Sequence, residues 1–80
     1  MKYLNYSIES EFIEDDNQTY YWAEFTFEDE NHEQYTGESP SYSRRGSDFH
    51  CLREGALEAH HKLQAGAAWE DVRKTFRHCW

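Results

Sequence analysis

Glu9 with Glu11, Glu24 with Glu28, and the acidic stretches Glu14-Asp15-Asp16 and Asp29-Glu30 are the residues of this chain whose types and spacing could do chemistry. Carboxylates two positions apart on a strand share a face and lie about 7 Å from each other. Such a row suits an anionic array that receives lysine and arginine side chains, the groups that otherwise bind phosphate. General acid–base catalysis asks instead for a carboxyl with a tuned pKa within reach of a reacting proton, and these acids form a solvated cluster without a visible cleft. Trp22 falls among them, and exposed aromatics of this kind anchor protein interfaces.

Three pairs combine histidine with histidine or cysteine: His50-Cys51, His60-His61 and His78-Cys79. None has the spacing of a zinc site such as C-x₂-C with H-x₃-H. On one helix, His50 and His61 share a face but stand about 16 Å apart by the rise per residue, too far for one ion. Adjacent helical residues do not face each other, so His50 is not placed to activate Cys51. The chain has no P-loop, no G-x-G-x-x-G and no nucleophile elbow. The expectation is a protein that is not an enzyme, with no catalytic residues, no cofactor and no metal.

Charge is distributed one-sidedly. Residues 1–40 hold eleven acids against a single cation, Lys2, whereas residues 41–80 hold five acids against seven lysines and arginines, and the net charge is −8. Self-repulsion of this kind opposes the compact state, so a functional reason is expected, and a basic partner surface is the simplest. The same charge argues against direct binding to nucleic-acid phosphates or to an anionic membrane. No apolar run approaches the ~20 residues needed to span a bilayer, and no hydrophobic signal segment follows Met1; a cytoplasmic protein is expected. In a reducing cytosol Cys51 and Cys79 should be free thiols. The chain should be a monomer or weak homodimer, with Cys79 able to link two copies when oxidised. Arg44 and Arg45 form a small positive spot that should pair with acids of a neighbouring strand.

The elements that must position these groups follow from periodicity. Leu4, Tyr6, Ile8 and Phe12 alternate with Tyr3, Asn5, Ser7, Glu9 and Glu11, the pattern of a half-buried strand. After the acidic turn, Tyr21, Ala23, Phe25 and Phe27 alternate with Tyr20, Trp22, Glu24, Thr26 and Glu28. A second turn at 29–32 leads to a shorter strand, 33–38, around Tyr35. Short turns between adjacent strands imply an antiparallel meander. Across residues 37–48, Pro40, two glycines and four serines mark a connecting loop. Ser47 or Asp48 should then cap a helix whose stripe is Phe49, Leu52, Ala56, Ala59 and Leu63. Gly66 should end it, and Trp69, Val72, Phe76 and Cys79 should carry a second helical segment to residue 80.

The expected fold class is therefore α+β: one compact domain over 1–80, with a three-stranded antiparallel sheet (1–39), a loop (40–47) and a helical part (48–80). One long helix and a second, shorter helical segment cover one sheet face. The predicted core is Leu4, Tyr6, Ile8, Phe12, Tyr21, Phe25, Phe27, Leu52, Ala56, Leu63, Val72 and Phe76. The opposite face would display Tyr3, Glu9, Glu11, Tyr20, Trp22, Glu24 and Glu28, with Glu14, Asp15, Asp16, Asp29, Glu30 and Glu33 at the turns. Of these, Glu9, Glu11, Glu14, Asp15, Asp16, Trp22, Glu24, Glu28, Asp29 and Glu30 are the candidate partner-binding residues.

Strands followed by a helix that starts near Ser47 resemble the later part of double-stranded-RNA-binding domains, but the lysine cluster of that helix start is missing and the charge is opposite. In size, aromatic richness and acidity the whole chain resembles small phage-encoded anti-defence proteins of the anti-CRISPR type, which share no sequence motif. That resemblance implies a non-catalytic inhibitor in the cytoplasm of a host bacterium, one that mimics nucleic acid and occludes a basic nucleic-acid-binding surface of a nuclease or CRISPR-Cas surveillance complex. The alternative is a small phage structural, assembly or antitoxin-like interaction module, with an apolar interface around Trp69 and Trp80.

Overall fold

Phe25 and Phe27 stand at alternate positions of an eleven-residue strand, and their rings gather the rest of the chain onto one side of it. The computed structural model describes residues 1–44 and 47–76. Its elements are β1 (Lys2–Ile13), β2 (Gln18–Glu28), β3 (Gln34–Glu38), β4 (Tyr42–Ser43), α1 (Asp48–Gln64) and α2 (Trp69–Val72), followed by a single 3₁₀ turn at Arg73–Thr75. The fold is α+β. β2 is the central strand, paired antiparallel with β1 on one side and with β3 and then β4 on the other.

Both hairpin turns use a residue that tolerates a left-handed backbone. Asn17 has φ 52° and closes 14–17 by donating its N–H to the Glu14 carbonyl; His32 has φ 65° and donates to Asp29. The segment expected to be a loop contains a fourth strand. Ser39 donates its backbone N–H to the Ala23 carbonyl, and its hydroxyl accepts the Ala23 N–H while donating to the Pro40 carbonyl. That bridge carries the pairing from β3 on to β4 and delivers Tyr42 to the core, only 1% exposed.

Helix α1 buries Leu52, Ala56, Ala59 and Leu63 at three- and four-residue steps, the stripe that periodicity predicts. It stops at Gly66, φ +99°, in a Schellman arrangement: Gly66 N–H reaches Leu63 and Ala67 N–H reaches Lys62. Its start differs from expectation. The Ser47 side chain makes no capping bond, and the Asp48 carboxylate accepts the Ser43 hydroxyl at 3.1 Å, tying the helix start to β4. Downstream, helical geometry ends at Thr75, and Phe76 is already extended. Arg45, His78, Cys79 and Trp80, on which earlier expectations fall, lie outside the described residues.

The buried core is Ala23, Phe25, Phe27, Tyr42, Leu52, Ala56, Ala59, Leu63 and Val72, with Tyr6, Ile8, Tyr21 and Phe76 partly buried against it. Two predicted core residues depart from the pattern. The register slips between Tyr3 and Asn5, so Leu4 is an extra residue outside the core cluster. A bulge of this kind reverses the facing of what precedes it. Tyr3, expected outside, accordingly turns inward beside Phe27 and places its hydroxyl 2.6 Å from His60 Nδ1 on α1. Phe12 is 55% exposed. Phe49, in the first turn of α1, packs on Tyr21, and Phe12 pairs with Thr19 farther along the hairpin, beyond the helix.

Trp69 closes the layer. Its indole lies 5.1 Å from the Phe25 ring and 6.1 Å from Phe27, centroid to centroid. It fills the space that the missing side chain of Gly37 leaves above β3: a Cβ there would meet the indole at 2.5–2.9 Å. Trp69 thus packs against the core while remaining partly exposed. Cys51 is disulfide-bonded, not the free thiol expected.

Gly37→Ala is expected to displace the indole and cost about 1–3 kcal/mol, as overpacking does, with a lower urea midpoint and a changed tryptophan emission as readouts. Burial, and secondarily the neighbouring Tyr6, push the Tyr3 hydroxyl from its ordinary 10.0 up to about 12. The folded state therefore holds this proton more tightly, and the associated stability is complete below pH 10 and lost as the pH rises through the folded value. Tyr3→Phe, missing one hydrogen bond, should be about 0.5–1.5 kcal/mol less stable at neutral pH. Denaturation at a series of alkaline pH values should show that gap narrowing from pH 10 to about 12.

Candidate functional site

The helices and the aromatic core occupy one face of the sheet, and the register states what is left on the other. Lys2 stands opposite Glu28, Asn5 opposite Thr26, Ser7 opposite Glu24, Glu9 opposite Trp22 and Glu11 opposite Tyr20. On the far side of β2, Glu24 is paired with Glu38, Thr26 with Thr36 and Glu28 with Gln34. Five carboxylates, those of Glu9, Glu11, Glu24, Glu28 and Glu38, therefore share one face on strands about 4.8 Å apart. The span from Lys2 to Glu11 is about 30 Å.

Trp22 and Tyr20 are built into this face as well as displayed on it. The Trp22 indole N–H donates to Glu24 Oε2 at 2.9 Å, which holds that carboxylate along β2. The Tyr20 hydroxyl donates to Asp16 Oδ2 at 2.7 Å, drawing the acidic β1–β2 turn towards the outer side. Glu9 and Glu11 are exposed, while Glu24 and Glu28, on the central strand, are half-buried by their neighbours.

Apart from Lys2, the lysines and arginines seen in ion pairs lie elsewhere. Lys62 pairs with Glu58 at 3.0 Å and Arg73 with Glu70 at 3.5 Å, both on the helical side. His50 lies 3.4 Å from Glu54 on α1, and His32 3.0 Å from Glu28 at the edge of the face. Among the described residues, no ion pair neutralises Glu9, Glu11, Glu24 or Glu38. Arg44 does not pair with a strand acid as expected; it lies 5.4 Å over the Phe49 ring and donates to the Tyr21 hydroxyl.

The ten sequence-predicted residues therefore divide. Glu9, Glu11, Trp22, Glu24 and Glu28 are together on the outer face. Glu14, Asp15 and Asp16 cap one end of the β1–β2 hairpin, and Asp29 and Glu30 lie in the turn after β2 at the other end. Asp29 works for its own turn: Oδ1 accepts the N–H groups of Asn31 and Glu33, and Oδ2 accepts the hydroxyl of Tyr35. Tyr35 stands opposite Phe27, on the helix side, so Asp29 is turned away from the acidic face. Glu38 belongs to the face and was missed. Its signal was available, since it continues the even-numbered alternation of Gln34 and Thr36 past Gly37.

Among the described residues, no three histidines, cysteines, aspartates or glutamates are grouped as metal ligands, and no helix is long and apolar enough to cross a membrane. Comparison with protein-family models, curated proteins and solved structures finds no significant match to this chain.

The Glu33 N–H, followed by that of Asn31 and the Tyr35 hydroxyl, holds the Asp29 carboxyl below its ordinary 3.8. A depressed folded pKa contributes stability that is present above the ordinary carboxylate value and is lost as the pH falls through the folded one. Asp29→Ala should therefore be less stable than the parent at pH 7, with the difference shrinking on acidification below the carboxylate range. Urea denaturation at stepped pH would measure this.

Proposed function

We propose that the outer sheet face binds a basic, nucleic-acid-binding surface of another protein and occludes it, acting as a non-catalytic inhibitor. The observation that carries this reading is the sheet face bearing Glu9, Glu11, Glu24, Glu28 and Glu38, on which Lys2 is the only lysine or arginine among the described residues. Arginines and lysines that grip phosphates accept carboxylates in the same way, by charge-assisted hydrogen bonds that are bidentate for arginine. Carboxylate rows in adjacent strands offer such side chains repeated anions on a nearly flat surface. Trp22 and Tyr20 add aromatic contact area beside the charges, which is where interface energy concentrates. Likeness in size, composition and charge to anti-CRISPR-type proteins makes RNA-guided nuclease complexes the first partners to try.

The test is displacement of duplex DNA from a panel of RNA-guided complexes and other DNA-binding nucleases. The parent chain should compete, and its affinity should fall with added salt, because exposed charges are screened beyond roughly 8–10 Å. The triple variant Glu9→Lys, Glu11→Lys, Glu24→Lys should keep its far-ultraviolet circular dichroism and lose competition. The double variant Glu9→Lys, Glu11→Lys leaves the Trp22–Glu24 bond in place and should lose most of it. Undiminished competition by either folded variant would sink the proposal.

A further inference from the structure

β1 has twelve residues and, among the described residues, pairs only with β2, so its other edge is open. Every second residue of an open edge points its N–H and C=O outward, a template for an added strand. Two devices guard this edge against a second copy of the chain. Glu9 and Glu11 lie on its outer side, and like charges brought opposite each other repel. The bulge at Leu4 interrupts the ladder near its start. The carboxylates have the reverse effect on a cationic strand, since opposite charges across paired strands attract.

The inner side of the same edge has a different chemistry. A groove of about 320 Å³ separates β1 from α1, with Tyr6, Ile8 and Leu57 as its apolar lining and His50, Arg53 and Glu54 from the helix. Leu57 is 48% exposed and lies outside the core cluster. An inward side chain of an added strand would enter this groove, where an apolar group gains contact and Arg53 repels a cation. An outward side chain would stand beside Ser7, Glu9 or Glu11. The two sides thus select a strand of alternating character, basic outward and apolar inward, matching the strand period of two.

We propose that the free edge of β1 takes an extended basic segment of the partner as an additional strand. Lysines or arginines of that segment lie against Glu9 and Glu11, and its alternate apolar residues fill the groove beside Leu57. This rests on the reading of the outer face as an anionic binding surface, and adds how the partner engages it.

The experiment uses the full chain and three synthetic peptides: an octapeptide alternating lysine and valine, its isomer with the lysines and valines in separate blocks, and the alternating peptide methylated at every backbone nitrogen. Binding is read by fluorescence anisotropy and by hydrogen exchange of the β1 amides. The alternating peptide should bind and slow exchange along β1, with the other two at least about tenfold weaker. Leu57→Lys, an exposed helical position, should weaken the alternating peptide by about tenfold through loss of the apolar contact and added repulsion. Equal binding of all three peptides, or binding without protection of β1, would overturn the added strand and leave the anionic face standing. Binding by none of them would overturn it too, and the anionic face would still be judged separately by the DNA-displacement assay, which involves no peptide.

Discussion

A sheet with a single layer of helices can bury only one of its faces, and the packing of Phe25 and Phe27 against Trp69, Leu52 and Leu63 decides which one. Phe25 is fully buried, with Tyr6 and Trp69 rings 5.6 and 5.1 Å from it. Because side chains on a strand alternate between faces, placing these rings inward commits Glu24, Thr26 and Glu28 outward. The β1 and β3 residues paired with them follow. The acidic face is thus a geometric consequence of the core.

The division has an electrostatic consequence. The described ion pairs of lysine and arginine are made with helix acids, so the helical side is internally compensated while the sheet side is not. Surface pairs of this kind contribute little to stability, roughly 0–1 kcal/mol each, and none of the described lysine or arginine pairs engages Glu9, Glu11, Glu24 or Glu38. The field of the molecule is therefore directional, which favours oriented encounter with a basic surface.

Much of this was legible in the chain. Alternation of Tyr21, Ala23, Phe25 and Phe27 marked β2 and its buried side, the stripe from Leu52 to Leu63 marked α1, and Gly66 marked its end. Half of the candidate site, Glu9, Glu11, Trp22, Glu24 and Glu28, followed directly from parity. The departures share a cause. Tyr3 and Leu4 changed sides because one extra residue enters the β1 ladder, and nothing local announces a bulge. Tyr42 was read as loop because Pro40 and the serines around it are turn formers, yet Ser39 pairs with Ala23 from sixteen positions away and draws it in. Asp29, placed at a turn as part of the anionic array, spends its carboxylate on the N–H groups of that turn, a use that charge alone does not reveal.

The sequence by itself determined what depends on neighbours along the chain: strand and helix periods, the stop at Gly66, and the crowding of carboxylates into residues 1–40. Only the tertiary structure decided what depends on pairing between distant residues. It set Trp69 on Gly37, buried Tyr42, turned Tyr3 towards His60 and brought Glu38 alongside Glu24. The physical reason is that periodicity is a property of consecutive backbone dihedrals, whereas register, bulges and close approach are set by which distant surfaces fill one another's space.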